Sequence, residues 1–243
     1  MKTAGSVPEI SRPLRRFFGK YATGYLRRHF HTVRLLKGAE PPNDKSEAQV
    51  VFLNHAAWWD PLVCLLLAEE FFPGRPTYAP MAAAALQRYS FFKRLGFFSV
   101  ETGTVRGAAN FLRTSAAILA QPGNMLFLTP QGEFADVRAL LVFAPGLERL
   151  AARMPEVQFL PLAIEYTFWE ERKPEVLLAF GAAGTDQLGP AQARLAAAAQ
   201  RRQPNEWQVL LRAKSGVNWP YDLWRWTRAR LRGERSASEH SCL

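Results

Sequence analysis

The stretch from Val50 to Ala68 constrains the fold of this chain more than any other. Val50 to Leu53 is a short apolar run with β-branched residues, which predicts a buried strand. Pro61 begins an apolar, leucine-rich segment, which predicts a helix. Asp60 can cap the free amides of that helix, and proline suits the first helical position. A strand that passes through a short connection into a helix is typical of a layered α/β fold.

The connection between this strand and this helix contains His55, five residues before Asp60. On one continuous helix that spacing would leave the two side chains about 140° apart, so they can meet only where the chain turns. A neutral imidazole held by a carboxylate through one nitrogen can take a proton with the other, which is how a His–Asp pair acts as a general base. The alternative is that Asp60 only caps the helix and His55 only bonds to backbone.

Residues 54–61, Asn-His-x-x-Trp-x-Asp-Pro, resemble the first motif of the glycerolipid acyltransferases, the H-x4-D family that includes the lysophosphatidic acid acyltransferases. Further segments resemble later blocks of that family in the same order, and together the resemblance covers about residues 50 to 165. These segments are 96–101 for the second block, 128–132 for the third, 143–146 after it, and 159–163 for the fourth.

The resemblance implies an O-acyltransferase in which His55 deprotonates a hydroxyl of a lipid acceptor and Asp60 orients the imidazole. The acyl donor would be a thioester, acyl-CoA or acyl-ACP, so acyl carrier protein is a candidate partner, and no bound cofactor or metal is expected. Backbone amides near residues 130–132 are candidates to stabilise the oxyanion. The candidate substrate-binding residues are Asn54, Glu101, Arg106, Pro130, Gln131, Gly132 and Arg138.

Two arginines that the family associates with an acceptor phosphate are missing. Glu101 is followed by Thr102 where the second block usually has arginine, and residues 131–134 are Gln-Gly-Glu-Phe where the third block ends Glu-Gly-Thr-Arg. Neither threonine nor phenylalanine can replace a bidentate contact between arginine and phosphate. Arg106 and Arg138 are near enough in sequence to substitute for the missing arginines. A phosphorylated acceptor therefore stays open, as does a sugar, glycoside, lyso-amino-lipid or other hydroxylated lipid.

The net charge of +10 is concentrated at the two ends of the chain. Residues 1–50 and residues 194–243 each hold ten Lys/Arg against four Asp/Glu, whereas residues 51–193 hold eleven against thirteen. Aromatic and leucine residues at helical steps predict a basic amphipathic helix over 12–36, and a Trp-rich basic helix is predicted over 219–232. Such helices suit an anionic membrane surface, and the alternative is that they pack on the core with a solvated basic face.

We therefore expect a single layered α/β domain, with a central mixed sheet flanked by helices and basic N- and C-terminal helices. The predicted organisation is a membrane-associating segment and linker at 1–49, an acyltransferase domain at 50–215, and a Trp-rich helix and tail at 216–243. Further strands are predicted at 77–80, 125–128, 157–164 and 176–180, and further helices at 82–92, 106–120 and 191–202.

The expected location is the cytoplasmic face of a membrane, with the protein bound peripherally. No stretch has the length and apolarity of a membrane span, and the two cysteines provide no disulfide framework. Two other classes of function stay open. The intact His55 and Asp60 disfavour a non-catalytic membrane-binding protein. The absence of any nucleic-acid-binding motif disfavours a nucleic-acid-binding protein.

Overall fold

The computed structural model describes residues 6–42, 47–169, 171–213 and 227–228. Its strands are β1 (Thr32–Leu36), β2 (Gln49–Leu53), β3 (Thr77–Ala82), β4 (Phe97–Val100), β5 (Met125–Leu128), β6 (Gln158–Thr167), β7 (Glu175–Phe180) and β8 (Trp207–Arg212). Its α-helices are α1 (Arg12–His29), α2 (Asp60–Phe71), α3 (Ala83–Arg88), α4 (Val105–Leu119), α5 (Gly146–Arg153) and α6 (Leu188–Arg201), with 3₁₀ turns at Ser90–Leu95 and Pro204–Glu206.

The eight strands form one mixed sheet in the order β4-β3-β5-β2-β6-β7-β1-β8. The five strands from β4 to β6 run parallel, while β6 with β7 and β1 with β8 are antiparallel. Because the carboxyl ends of the parallel strands meet at one edge, the segments that follow them lie together there, which is where open α/β sheets bind ligands. The predicted α/β class with a central mixed sheet is confirmed.

Strand β2 lies in the middle of the sheet and is buried on both faces, as its continuous apolar run predicts. On one face α1 and α2 cover it, and their core includes Val51, Leu26 and Leu67. On the other face α4, α5 and α6 contribute to a second core around Phe52 and Leu195. His55 therefore follows a strand that is buried along its whole length.

A buried arginine ties the strands together at the opposite edge. Arg75 donates from Nη1 to Gln49 Oε1 at 2.7 Å and from Nε to the carbonyl oxygen of Gly123 at 2.9 Å. Gln49 in turn donates from Nε2 to Gln158 Oε1 at 3.2 Å. These bonds link the amino ends of β2 and β6 to the segments before β3 and β5, and so help to set the register that places His55.

The helix predicted over 12–36 is wrong in its last part, because α1 ends at His29 and residues 32–36 form β1. Phe30 at the end of α1 is already extended, and β-branched Thr32 and Val33 favour a strand. β1 lies between β7 and β8, so the sheet begins ahead of the boundary that we place at residue 50.

Other elements depart from the sequence predictions as well. The helix predicted over 82–92 is broken near Tyr89 into α3 and a 3₁₀ turn, and β4, α5 and β8 were not predicted. The other predicted strands and helices are present within a few residues. The predicted Trp-rich helix over 219–232 lies outside the described residues except for 227–228. Among the described residues, no helix combines the length and apolarity needed to cross a bilayer.

A close backbone approach at the start of α4 makes Gly107 the glycine that we expect to tolerate alanine least. A Cβ added there would lie 1.8 Å from the carbonyl oxygen of Glu101, so Gly107→Ala must displace the segment after β4. We expect a loss of about 1–3 kcal/mol in the free energy of unfolding, although alanine has the higher helix propensity. Urea unfolding measures this loss.

Gly24→Ala in α1 is the matched control, because nothing lies within 4 Å of the added Cβ. It should leave stability unchanged or raise it by up to about 1 kcal/mol. Equal or greater stability of Gly107→Ala relative to the wild type would contradict the close approach.

Candidate active site

His55 and Asp60 form a hydrogen-bonded pair at the carboxyl end of β2. The His55 Nδ1 and Asp60 Oδ2 atoms are 2.7 Å apart, so the turn of residues 54–59 brings together side chains that a single helix would separate. The Asp60 side chain is only 1% exposed, and the His55 side chain is 18% exposed. The carboxylate is therefore shielded from water while the imidazole keeps an accessible edge.

Asp60 does not cap α2 as predicted. Trp59 is the N-cap residue, no side chain bonds to the free amides, and Asp60 is the first residue of the helix. Its Oδ2 also accepts from the Ala57 amide at 3.2 Å, and its Oδ1 accepts from the Tyr166 hydroxyl at 2.6 Å. Both carboxylate oxygens are thus used within the site, and the charge still lies in the first turn, where the helix dipole favours it.

The loop that carries His55 is fastened by backbone hydrogen bonds on two sides. The His55 amide donates to Gln131 Oε1 at 2.7 Å, and the His55 carbonyl accepts from the Ala135 amide at 2.9 Å. Behind the loop, Asn54 exchanges two 2.9 Å bonds with the backbone of Ile164. Asn54 is buried, and both ends of its side-chain amide are hydrogen-bonded. Contrary to the prediction, it therefore supports the loop and does not face a substrate.

The ring of Phe134 lies over the imidazole of His55. Their centroids are 4.2 Å apart with 40° between the planes, and Phe134 remains 59% exposed. Phe134 occupies the position where the third block usually carries arginine. An apolar ring therefore borders the imidazole at the position where the family usually has a guanidinium.

Of the remaining predicted substrate-binding residues, only some lie near the His–Asp pair. Gly132 donates its amide to Thr129 in a turn, and the Pro130 carbonyl accepts from Ala144, so both are engaged in backbone bonds. Arg138, three residues after Ala135, is exposed and forms a bidentate pair with Asp136 through two 2.8 Å bonds.

Glu101 and Arg106 lie further from the His–Asp pair. They follow β4, which is separated from β2 by β3 and β5. Three strand spacings correspond to about 14 Å along the same edge of the sheet. Both side chains are exposed, so they can contact only a distant part of a long ligand.

Comparison with protein families matches residues 33–165 to the model described as Acyltransferase, which is more than half of the chain. The chain belongs to the acyltransferase family. This confirms the resemblance to the glycerolipid acyltransferases, the group that includes the lysophosphatidic acid acyltransferases. A comparison with curated protein sequences finds no match. Of the three histidines that the structure describes, only His55 has a ring nitrogen within hydrogen-bonding distance of a carboxylate.

Tyr166 is a residue of this candidate site that the sequence did not predict. Burial and the neighbouring carboxylate of Asp60 raise the pKa of Tyr166 well above its usual value, so its hydroxyl stays protonated and donates. Period-2 alternation along β6 places Tyr166 on the same face as Ile164 and α2. That pattern could have indicated the face, but the partner lies 106 residues away in sequence.

We expect Tyr166→Phe to loosen the Asp60 carboxylate while leaving the ring packed near Phe30, whose centroid is 5.7 Å away. Hydrogen bonds to charged groups contribute about 1.5–3 kcal/mol, so acyl-transfer turnover should fall about tenfold or more. The His55 Nδ1 proton should also shift in its NMR spectrum, which a change in general packing would not cause. Tyr89→Phe, at an exposed tyrosine, is the control; an unchanged resonance and unchanged turnover in Tyr166→Phe would contradict a positioning role.

Proposed function

We propose that this acyltransferase moves a fatty acyl group from an acyl thioester to a hydroxyl of a lipid acceptor, with His55 as general base and Asp60 as its orienting carboxylate. The observation that supports the proposal best is the 2.7 Å contact between a partly exposed imidazole and a fully buried carboxylate. The contact holds Nδ1 on the protein side and leaves Nε2 for an acceptor.

In the proposed reaction, His55 Nε2 takes the proton of the acceptor hydroxyl as its oxygen attacks the thioester carbonyl carbon. The Asp60 carboxylate stabilises the imidazolium that forms. The tetrahedral oxyanion requires a hydrogen-bond donor, and the backbone N–H of Gln131 is the candidate. The backbone N–H of Gly132 already donates to the Thr129 carbonyl. When the intermediate collapses, the C–S bond breaks and the proton passes from Nε2 to the leaving thiolate. The thiol is that of coenzyme A or acyl carrier protein.

We predict that His55→Ala abolishes turnover in a folded protein, since general-base catalysis typically contributes about 10²–10⁴-fold. Asp60→Asn can keep the bonds to His55, Ala57 and Tyr166 if its amide nitrogen faces the Tyr166 oxygen, so it mainly removes the negative charge. We expect it to be severely impaired with a thermal melting temperature near that of the wild type. Release of thiol from an acyl-CoA donor measures turnover, and substantial turnover by folded His55→Ala would exclude the mechanism.

We also propose that the protein binds an anionic membrane through the face that carries α1. Exposed aromatic rings occur on this face at Phe17 (69% exposed), Tyr21 (52%), Phe91 (42%) and Trp58 (54%), the last being three residues from His55. Tyr25 links them, because its ring lies 5.7 Å from that of Tyr21 and 6.2 Å from that of Trp58. With the basic residues of α1, this arrangement suits a lipid–water boundary.

Removing residues 1–36 would delete β1 from the sheet, so the membrane prediction is better tested by substitutions on α1. Phe17→Ser with Tyr21→Ser should weaken binding to anionic vesicles about tenfold or more, because burying an aromatic ring contributes about 1.5–3 kcal/mol. Higher salt should weaken the wild type further. Val209→Ser on β8, at the outer edge of the sheet, is the control. Equal vesicle binding by all variants in a flotation assay would refute the proposed face.

The acceptor is proposed to be recognised without a phosphate. Phe134 covers His55 where an arginine is usual, Glu133 adds a negative charge beside it, and Arg138 is already paired with Asp136. A phosphate desolvated here without a free guanidinium would lose several kcal/mol.

Phe134→Arg should therefore give little gain on the true acceptor, and a neutral hydroxylated lipid should have a higher kcat/KM than lysophosphatidic acid. Steady-state kinetics with both acceptors measures this. The opposite ranking, together with its loss in Arg138→Ala, would show that Arg138 binds the phosphate.

A further inference from the structure

A groove of about 540 Å³ lies between the end of β6 and helix α6, on the face of the sheet opposite α2. Its walls include Glu165 and Thr167 from β6, Trp169 beyond it, and one face of α6. The volume is within the range of small-molecule binding sites. We call it the β6–α6 groove.

The groove lies beside the segment that is bonded to the His55 loop. Val137 lines the groove and lies two residues, at most about 7 Å of chain, from the Ala135 amide that bonds to the His55 carbonyl. Tyr166 also belongs to the lining, but its side chain lies on the α2 face, where its hydroxyl donates to Asp60, so that hydroxyl does not face the groove. A long ligand in the groove can therefore extend past Val137 toward His55.

The wall formed by α6 combines an apolar strip with an unpartnered amide. Gln192, Leu195, Ala196 and Ala199 share one face of the helix at steps of three and four residues. Gln192 Nε2 is buried and has no hydrogen-bond partner among the described residues. A buried donor left unpaired is costly, and an oxygen of a ligand in the groove would satisfy it.

The charged groups around the groove balance. The guanidinium of Arg138 is held in the bidentate pair with Asp136, and its charge also acts on Glu165. Glu165 is partly buried, and burial raises its pKa while Arg138 partly opposes the shift. Arg202 lies at the far rim, with its guanidinium carbon 5.9 Å from the centre of the Trp169 ring. These two cations and two carboxylates leave no net charge that would attract a phosphate. The Glu165 carboxylate, the Thr167 hydroxyl and the Gln192 amide can instead pair with hydroxyl groups of a ligand.

We propose that the β6–α6 groove binds the headgroup of the acyl acceptor, and that this headgroup is neutral and polyhydroxylated, as in a glycosylated lipid. The proposal rests on the proposed acyl-transfer function for its biological meaning. In this arrangement the acceptor's hydroxyls pair with Glu165 and Gln192, its apolar ring faces contact the alanine strip of α6, and one further hydroxyl lies at His55.

Binding is tested without turnover, in the full-length His55→Ala protein by calorimetry. The probes are octyl glucoside below its critical micelle concentration and octyl phosphate, which share one alkyl chain and differ in the headgroup. We expect octyl glucoside to bind more tightly, and Gln192→Leu and Glu165→Leu to weaken it about tenfold each, as expected for one lost hydrogen bond. Gln87→Leu, at an exposed position of α3, is the matched control and should leave the dissociation constant unchanged.

Gln192→Leu also separates a ligand role from a structural one. Because it removes an unpaired buried donor, the melting temperature should stay equal or rise while the affinity for the glucoside falls. Octyl phosphate binding as tightly as octyl glucoside, or unchanged glucoside affinity in both groove variants, would overturn the proposal.

Kinetics in the His55-containing enzyme distinguishes an acceptor subsite from a donor subsite. The groove variants should raise KM for a glycosylated monoacyl acceptor and leave KM for acyl-CoA unchanged. A rise in KM for acyl-CoA alone would assign the groove to the pantetheine arm of the donor and overturn the proposal. Absence of any acyl transfer by the wild type would count against the proposed function, while the calorimetric result on the groove would still stand.

Discussion

The buried carboxylate of Asp60 is the group on which the arrangement of this site depends. An unpaired charge removed from water is strongly destabilising, so the surroundings must supply hydrogen-bond donors. They come from the His55 ring, the Ala57 amide and the Tyr166 hydroxyl. These donors belong to the loop after β2 and to strand β6, while the carboxylate begins α2. One buried charge thus joins a loop, a helix and a neighbouring strand, and it fixes the orientation of the imidazole, as the proposed general-base role of His55 requires.

The loop around His55 is held as firmly as the carboxylate beside it. Asn54 continues the pairing of β2 with β6 beyond the strand, using side-chain atoms where backbone would otherwise pair. Gln131 and Ala135 fasten the other side of the loop from the segment after β5. The proposed role of His55 as a base depends on this support, because a small displacement of a base from its proton reduces the rate strongly. The glutamine at the third block has a physical role here, as acceptor for the His55 amide, even though glutamate is usual at that position.

The candidate site is apolar at the border of His55 and polar in the neighbouring β6–α6 groove. Phe134 makes the border of His55 apolar, and Arg138, the cation nearest to Phe134 in sequence, is paired with Asp136. Next to them the β6–α6 groove offers hydroxyl, carboxylate and amide groups with no net charge. These features favour the same kind of acceptor, one that is recognised through hydroxyls and not through a phosphate. Opposite them, the aromatic and basic face of α1 suits the surface from which a lipid would be taken.

The amino-acid sequence by itself determined the strand β2, the helix α2 and the connection between them that carries His55. The apolar run of β2, the Asp-Pro start of α2 and the spacing of His55 and Asp60 are local features, and each depends on residues only a few positions away. The tertiary structure alone decided the features that depend on distant partners. β1 forms where helical periodicity was expected, because it pairs with β7 and β8 and its Arg34 meets Glu175, 141 residues later. The bond from Tyr166 to Asp60 and the role of Asn54 could not be predicted, since Tyr166 and Ile164 reach these side chains only once β6 has paired beside β2 in register. Register between strands that are far apart in sequence is set by the packing of the whole sheet, and no local pattern encodes it.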